Sequence, residues 1–404
     1  MRCALVPPAA ADRAGHRRPA AVRSAGRALA GQALAAAALF AALGLVQGGA
    51  QAAPQDALLS ATGPDTESGA EGPDATPRVD LEWGRDVAND RVDVLGLRSR
   101  SAYAGTQVGN YGGYHLQAGF NGSDWRGEMA FWRRELQDRG DRHDLRSWQA
   151  GWQQRLTPAR RGAAPSADLA LRLSAWGNRS GTLTRSTGAG LVADTLNAQL
   201  TQLQLKRQRD RQLQLDLIGS RSLGQGWLAS LLGGVGDSRV TNDGVSARAN
   251  VAGCPYQFTF GAQALLATPD AGCQNAPILS VPNSLLPYDA AKETTWRARW
   301  AHVGGSLRVR QGAWSAALGY EVQRWWRRDI DDLITVRGGQ AYRSNQTLMA
   351  QIGWAPMPSL QWLLQGQLMQ HQWLSELPMA YNSLTAARFG QHYGFVTFGV
   401  WLRF

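Results

Sequence analysis

The sequence has few lysines, few cysteines and few charged residues of either sign. Lys206 and Lys292 are its two lysines, and charged residues make up 18% of the 404 positions. The net charge of +11 is carried by arginines spread along the chain, whereas nucleic-acid-binding domains cluster their basic residues. Mean hydropathy is -0.31, and a single apolar run is long enough to cross a membrane as a helix. These features exclude a helical membrane bundle and argue against a nucleic-acid partner.

Common catalytic signatures are missing as well. The sequence has no phosphate-binding glycine loop, no zinc-ligand spacing and no nucleophile elbow, so we expect no cofactor. It contains instead 16 Trp and 46 Gly. Leu and Trp recur throughout, which excludes an intrinsically disordered chain.

The first 52 residues have the order of a secretory signal peptide. Six arginines precede an apolar run from Ala28 to Val46, and Ala50-Gln51-Ala52 fits the small-x-small cleavage pattern. The alternative is a transmembrane anchor of about 20 residues. Residues 53–77 are acidic, rich in Pro and Gly and without an apolar period, and they predict a flexible periplasmic leader.

Two cysteines remain after the predicted cleavage, Cys254 and Cys273. Their spacing in a Gly/Pro/Ala-rich stretch suits one disulfide in an oxidising compartment. The alternative is two unpaired thiols. A metal site is disfavoured because no His or second cysteine pair lies nearby in the sequence.

From Arg78 onward the apolar residues recur with a period of two. The final segment is the clearest case, because Val396, Phe398, Val400, Leu402 and Phe404 would share one face of a strand. The same alternation recurs in the segments that begin at Leu169, Leu213, Trp314, Leu348 and Trp362. This is a strand period and not a helical one.

The alternating segments are long. Alternation alone would also fit a soluble sandwich, but these segments run to about 10–14 residues, whereas globular strands average about 5–6 and spanning strands need about 9–11. The positions that alternate with the apolar residues are polar, mostly Gln, Arg, Ser and Asp, as expected for side chains that face a water-filled lumen. Aromatic residues stand near segment ends, where interfacial girdles would lie: Tyr103, Trp125, Trp227, Trp296, Trp325, Trp326, Trp354 and Trp373. Because lipid tolerates no open sheet edge, residues 78–404 are predicted to form a closed antiparallel transmembrane β-barrel.

The signal peptide together with the final strand resembles a bacterial outer-membrane protein. In that class the last strand is read by the barrel-assembly machinery, which implies this role for Val396, Phe398, Val400, Leu402 and Phe404. The resemblance implies localisation in the outer membrane of a Gram-negative cell, in contact with its lipid. Among families, the Arg- and Trp-rich barrel is faintly similar to that of surface lipoprotein assembly modifiers, although the helical repeat domain of that family is not present.

We predict fourteen strands with long extracellular loops. They lie at about 78–88, 93–105, 112–121, 125–137, 143–157, 167–177, 195–207, 211–221, 226–237, 294–310, 313–326, 344–355, 360–374 and 389–404. An even number places both ends of the barrel in the periplasm. This count also places residues 178–194, a long polar link, in the periplasm. A sixteen-strand alternative with extra strands from 239–265 would remove that conflict.

Candidate catalytic residues are sparse. His143 beside Asp141 and Asp144 is the best cluster for a hydrolase at the rim, and His371 and His392 could approach each other across the last hairpin. The simpler interpretation is that these histidines belong to the lumen or the girdles. A further acidic run could hold calcium or could be a solvated loop; it comprises Asp329, Asp331 and Asp332.

The polar parity carries many arginines. Arginine binds carboxylate or phosphate in a fork geometry, and a ring of arginines biases a pore toward anions. The arginines could equally pair with acids and brace the lumen. The candidate lumen residues are Arg98, Arg100, Arg126, Arg134, Arg172, Arg297, Arg299 and Arg308, with Glu128, Asp216 and Glu321 as the opposing acids.

Three functions follow from these patterns. The first is a porin-like outer-membrane channel or transporter whose Arg-rich lumen favours anionic or polar solutes. The second is an export or assembly barrel for a surface lipoprotein or polysaccharide, working with a periplasmic or secretion partner. The third is a hydrolase with its site at the rim of the barrel.

Overall fold

A computed structural model describes most of the chain after residue 77. The described residues are 78–88, 110–122, 124–138, 141–157, 167–186, 190–193, 196–273, 275–286, 290–336, 338–371, 378–383, 386–390 and 392–404. The predicted signal peptide, the leader and the strand at 93–105 lie outside these residues. No helix among them is long and apolar enough to cross a membrane.

Twelve of the strands form a closed antiparallel barrel. Numbered in chain order among all the strands, they are β1 (Arg78–Ala88), β2 (Asn110–Asn121), β3 (Trp125–Asp138), β4 (Asp141–Arg155), β5 (Ala167–Ser180), β9 (Arg209–Gly224), β10 (Trp227–Thr241), β15 (Trp296–Gln311), β16 (Trp314–Trp326), β17 (Ser344–Met357), β18 (Leu360–Met369) and β19 (Tyr393–Arg403). The first strand pairs with the last in a register that runs from Asp80↔Arg403 to Val87↔Val396. This pairing closes the sheet.

Seven strands lie outside the barrel in a second antiparallel sheet. They are β6 (Leu183–Ser186), β7 (Gly190–Ala193), β8 (Leu196–Leu205), β11 (Val245–Val251), β12 (Cys254–Phe260), β13 (Ala264–Pro269) and β14 (Leu279–Pro282). One face of this sheet is apolar and buried, with Phe258, Leu265 and Ala267 fully enclosed. Cys254 and Cys273 are joined by a disulfide, as the sequence predicts, at the end of β11 and β12 that is farther from the barrel.

The prediction of fourteen barrel strands is therefore wrong. The segment predicted at 195–207 is β8 of the second sheet, and the extra strands proposed within 239–265 are β11 and β12 of that same sheet, so sixteen is also wrong. The error has a physical cause. A lipid-facing strand and a strand that covers a soluble core both alternate apolar with polar residues, so the period alone cannot assign a strand to one sheet or the other.

The two ends of the barrel differ in their connections. At one end, here called the turn end, lie both termini of the barrel and short links such as Gln225-Gly226, where both residues have positive φ (50° and 78°), as a two-residue hairpin requires. At the other, the loop end, lie the links that carry the second sheet and helices α1 (Ala290–Thr294) and α2 (Arg328–Val336). Residues 181–208 emerge at the loop end, so the conflict over this polar link disappears with the corrected count.

Candidate functional site: the barrel interior

The outer wall of the barrel is apolar and the inner wall is polar. Along β9, for example, Leu213, Leu215 and Leu217 are 44–52% exposed, while Gln214 and Asp216 between them are buried. Because the barrel is closed, the exposed parity faces outward and the buried parity faces the interior. Paired aromatic rings line the outer wall near the turn end, with Trp125 stacked on Trp152 at 4.7 Å and Trp314 against Trp354 at 5.7 Å.

The last strand presents its apolar row outward. Phe398 and Leu402 are each 39% exposed and Phe404 is 70% exposed, while Val396 and Val400 on the same parity are half-buried. The row therefore lies on the outer wall of the barrel. Its recognition by an assembly machinery stays a prediction.

The predicted lumen residues divide between the two walls. Arg126, Arg134, Arg172 and Arg308 lie on the inner parity of their strands, as do the three acids Glu128, Asp216 and Glu321, which are buried. Arg98 and Arg100 lie outside the described residues.

The prediction that Arg297 and Arg299 face the lumen is wrong. They are exposed on the outward parity of β15, while Trp296 and Trp300 are buried on the inner one. The prediction fails here because polarity inverts near the loop end. At this level the outward-facing residues are no longer apolar, and the interior is filled by an apolar core. Trp325 likewise points inward and not toward a girdle.

A buried histidine joins three strands in the middle of the interior. His302 Nε2 on β15 donates to Asp216 Oδ1 on β9 at 2.7 Å, and His302 Nδ1 lies 3.4 Å from Glu321 Oε1 on β16. Gln214 donates to Asp216 at 2.7 Å and Gln323 donates to Glu321 at 2.6 Å. Alternation predicts that Asp216 and Glu321 face the interior, but not that they meet His302, because the three residues are 86 and 19 positions apart and come together only through the register.

The histidine reaches Asp216 across a glycine. Gly234 on β10 is paired with Asp216 on one side and with His302 on the other. A Cβ atom at Gly234 would overlap both Asp216 Oδ1 and His302 Nε2. The small residue on the middle strand is thus what lets side chains of next-nearest strands touch.

The same arrangement recurs around Glu128. This acid on β3 accepts from Arg172 on β5 and, at 3.2 Å, from Gln149 on the intervening β4. Arg126 Nε lies 3.8 Å from its second oxygen. A Cβ at Gly151 of β4 would come within 2.7 Å of Glu128 Oε1. Arginine here braces an acid and does not present a free cation to the lumen.

A third polar cluster lies near the seam between the first and last strands. His115 Nε2 is 3.3 Å from Glu82, and His115 Nδ1 is 4.0 Å from Asp86. Asp86 also accepts from Thr397 at 2.8 Å and lies 3.6 Å from Arg134. Both buried histidines therefore sit between two carboxylates.

The described inner wall holds more buried acid than buried arginine. The buried acids on barrel strands are Asp80, Glu82, Asp86, Glu128, Asp210, Asp216 and Glu321, and the buried arginines are Arg134 and Arg172. A uniformly cationic lumen is not what these residues form. Removing one partner of such buried pairs would leave an uncompensated charge, so the network fixes the interior in one arrangement.

An apolar plug closes the interior at the loop end. We call it the loop-end cap; it consists of α2 with residues 338–343 and the segments 378–383 and 386–390. Its Ile330, Ile334 and Tyr381 pack with Trp300 and Trp325 of the barrel wall in one buried cluster. Met379 N donates to Asp210 Oδ2 at 3.2 Å, and its carbonyl accepts from Gln208, which ties the cap to β9 and its preceding link.

One arginine holds the cap together. The guanidinium carbon of Arg327 lies 4.1 Å from the centre of the Tyr381 ring and 5.3 Å from that of Trp325, and Arg327 donates to the Tyr342 carbonyl. Tyr381 donates to Asp331 at 3.2 Å and accepts from Tyr342 N at 3.0 Å. Burial raises the pKa of Tyr381 to about 12, so its hydroxyl stays a donor at any physiological pH.

The remaining candidate residues do not assemble into a catalytic site in the described structure. Asp144 faces outward, 3.5 Å from Arg133. The side chains of His143 and Asp141 lie outside what is described. Asp331 is turned into the cap, while Asp332 is 70% exposed and contacts Arg343. His371 Nδ1 contacts the Phe389 carbonyl at 3.1 Å inside the cap. No group of three or more metal-ligating side chains is found among the described residues.

No protein-family model matches the chain, and no curated protein matches it. Among solved structures the chain is similar to the translocator domain of the autotransporter NalP from Neisseria meningitidis, at 12% identity and a TM-score of 0.44, covering 81% of this chain and 88% of that one. It is similar to the toluene transporter TodX of Pseudomonas putida at 10% identity and 0.38, covering 88% and 94%. It is similar to the NanC porin at 8% and 0.35, covering 80% and 98%. These likenesses identify no family and no activity; the closed antiparallel barrel with its apolar outer wall has the architecture of an outer-membrane β-barrel.

Proposed function

We propose that the protein is an outer-membrane channel or transporter for polar solutes, closed in this state by the loop-end cap and by the buried polar network beneath it. The carrying observation is the inversion of the barrel, which is apolar outside and mainly polar inside; the buried apolar groups inside are the cap and a small cluster of Ile218, Leu232, Ala317 and Met349. A soluble barrel would bury apolar residues in its interior instead. In this proposal the chain lies in the outer membrane of a bacterial cell, with the loop end outside and the turn end in the periplasm.

The solute preference belongs to the same proposal. The sequence favours anionic or polar solutes because of its arginines. The buried arginines Arg134 and Arg172 pair with acids, while Arg308 and Arg310 on the inner parity of β15 are half-buried, so the described wall carries groups of both signs, which supports polar solutes without a strong preference for one sign of charge.

Conductance of the refolded chain in planar bilayers tests the gating. Trp325→Ala removes a buried ring that packs against both Arg327 and Trp300, so we expect the cap to loosen and open events to become at least tenfold more frequent than in the wild type. Trp326→Ala is the matched control, because the adjacent Trp326 faces outward and is 51% exposed. Folding of each variant is checked by its heat-modifiable migration.

Two outcomes would contradict the proposal. One is a folded barrel in which neither the wild type nor Trp325→Ala ever conducts. The other is equal behaviour of the two tryptophan variants, which would mean that the cap does not gate. In a salt gradient, a strongly anion-selective reversal potential would contradict a wall with both signs of charge and restore the expectation from the sequence.

The export or assembly function remains a second proposal. One observation favours it: the loops at the loop end fold into a seven-stranded sheet, which is a larger ordered surface than a plain channel needs. Deleting a neighbouring secretion gene with no change in surface material would count against it.

A further inference from the structure

A belt of arginines runs around one side of the outer wall near the loop end. Along six neighbouring strands, β3, β4, β5, β9, β10 and β15, the outward parity carries an exposed arginine just beyond the apolar band. The members of this arginine belt are Arg133, Arg146, Arg179, Arg209, Arg211, Arg239, Arg297 and Arg299. At about 4.8 Å between strands it extends for about 25 Å.

The register places these arginines directly opposite one another. Arg133 pairs with Arg146, Arg146 with Arg179, and Arg179 with Arg209. One step of two residues along β9 continues the belt, with Arg211 opposite Arg239 and Arg239 opposite Arg297. Directly opposed like charges destabilise a sheet. Five such pairs in succession are therefore a cost that folding alone does not explain.

The acids nearby are too few to neutralise the belt. Asp144 lies 3.5 Å from Arg133, Asp243 lies 3.2 Å from Arg209, and Asp237 is exposed on the belt's own parity, opposite Arg299. Within the described part of the chain no ion pair is found for the other members: Arg146, Arg179, Arg211, Arg239 and Arg297. The belt thus has more outward-facing guanidinium groups than nearby carboxylates.

The position of the belt along the strands indicates what kind of partner it binds. Below it on the same strands lies the apolar band, including Leu173, Leu231 and Val303, which are 49%, 72% and 64% exposed. The belt is therefore at the level where the hydrocarbon of a bilayer ends and its headgroups begin. Beyond β16, whose outward Arg324 adjoins the belt, the outward residues of β17 at this level are Ser344 and Gln346, which are uncharged. The asymmetry makes the belt a localised surface and not a general girdle.

We propose that the arginine belt binds phosphorylated headgroups of glycolipid in the outer leaflet, with arginine guanidinium groups forking onto the phosphates. Arginine matches phosphate bidentately, and a row of phosphates would offset the opposed positive charges along the belt. The inference rests on the proposed location in the outer membrane with the loop end outside. It adds a lipid-binding site on the outer wall, separate from the interior path.

Lipid titration of the refolded full chain in zwitterionic detergent tests the proposal. The probes are diphosphorylated lipid A, fully dephosphorylated lipid A and inorganic pyrophosphate. The belt variant is Arg179→Gln/Arg211→Gln/Arg239→Gln. The matched control, Arg221→Gln/Arg248→Gln/Arg328→Gln, removes the same charge from three exposed arginines away from the belt: Arg221 at the turn end, Arg248 in the second sheet and Arg328 in the loop-end cap.

At low ionic strength we expect the belt variant to bind diphosphorylated lipid A at least about tenfold more weakly than the wild type, and the control to bind within about twofold. Dephosphorylated lipid A should show no difference between the three proteins. Equal affinity of the belt variant and the wild type would overturn the proposal, as would an equal loss in the control. Tight binding of pyrophosphate alone would show a free-anion site and reject the lipid partner.

Conductance separates this inference from the proposed function. The belt lies on the outer wall, so the belt variant should show the same single-channel conductance as the wild type. A folded wild type that binds lipid A through the belt but never conducts would reject the channel and leave the lipid site standing. Conduction with no phosphate-dependent binding would do the reverse.

Discussion

Single glycines determine how charges are neutralised inside this barrel. A polar side chain on a strand normally meets the side chains of the two adjacent strands. Where the middle strand carries Gly234 or Gly151, the side chains of the flanking strands meet over the gap, as His302 does with Asp216 and Arg172 with Glu128. Charge pairing in the interior thus depends on residues that carry no charge.

Replacing Gly234 by alanine should destabilise the barrel. The new Cβ would overlap Asp216 and His302 and approach the Leu215 carbonyl at 2.6 Å, and the last contact cannot be relieved by moving a side chain. We expect a loss of about 2 kcal/mol or more in the free energy of unfolding. Denaturant titration followed by tryptophan fluorescence measures it.

Gly233→Ala is the internal control for that experiment. Gly233 is the outward-facing neighbour, and its new Cβ would meet the His302 carbonyl at an ordinary 3.7 Å. The change should alter the free energy of unfolding by less than about 0.5 kcal/mol. Equal effects at the two positions would show that loss of glycine flexibility, and not the polar cluster, sets the cost.

Among the elements, the loop-end cap contains a histidine whose pKa depends on the cap being closed. His371 lies in the link after β18, with its ring 4.5 Å from that of Tyr342. Burial lowers the pKa of His371 to about 4, against the pull of the Phe389 carbonyl, and the charges of His392 and Arg327 lower it further. The cap therefore holds His371 neutral.

Acidification should loosen the cap. An opened cap returns His371 to its ordinary pKa of 6.5, so between pH 6.5 and about 4 the open form binds a proton that the closed form does not. The closed cap therefore has its full stability above pH 6.5, and it loses stability as the pH falls toward 4. We expect faster hydrogen exchange of backbone amides in 378–390 at pH 4.5 than the intrinsic rates account for. His371→Gln should remove this dependence, and persistence of the dependence would assign it to another group.

The strands also show how much of the fold the sequence predicts. All twelve barrel strands alternate long enough to be located within about five residues, because an apolar outer wall and a polar interior impose a strict period. β8 alternates just as well, yet it covers a core in the second sheet. The His302 cluster and the arginine belt could not be found in advance, since both depend on the register between strands, which alternation does not specify.

At the scale of the whole molecule, two sheets with opposite polarity share one chain. The barrel is apolar outside, and the second sheet buries its apolar face, with Tyr256 and Phe258 inside. The two sheets therefore place their apolar residues differently: the barrel on its outer wall, the second sheet on its buried face. The disulfide belongs to the second sheet alone, since Cys254 opens β12 and Cys273 follows β13.

Reduction of the disulfide should therefore affect the two sheets unequally. Opening a loop of this length removes about 3 kcal/mol on the chain-entropy model. We expect residues 245–282 to become sensitive to protease under reducing conditions, while the barrel keeps its heat-modifiable migration. Simultaneous loss of both would mean that the sheets unfold as one unit.

The pairing of β1 with β19 has a consequence for the order of assembly. The strand that completes the ring, β19, is the last barrel strand in chain order, so the barrel cannot close until β19 has been synthesised and delivered. A chain cut short before Tyr393 would carry β1 and β18 as two exposed edges, each a template for pairing with another copy. Termination between β18 and β19 should thus produce aggregation-prone protein and not a smaller working barrel.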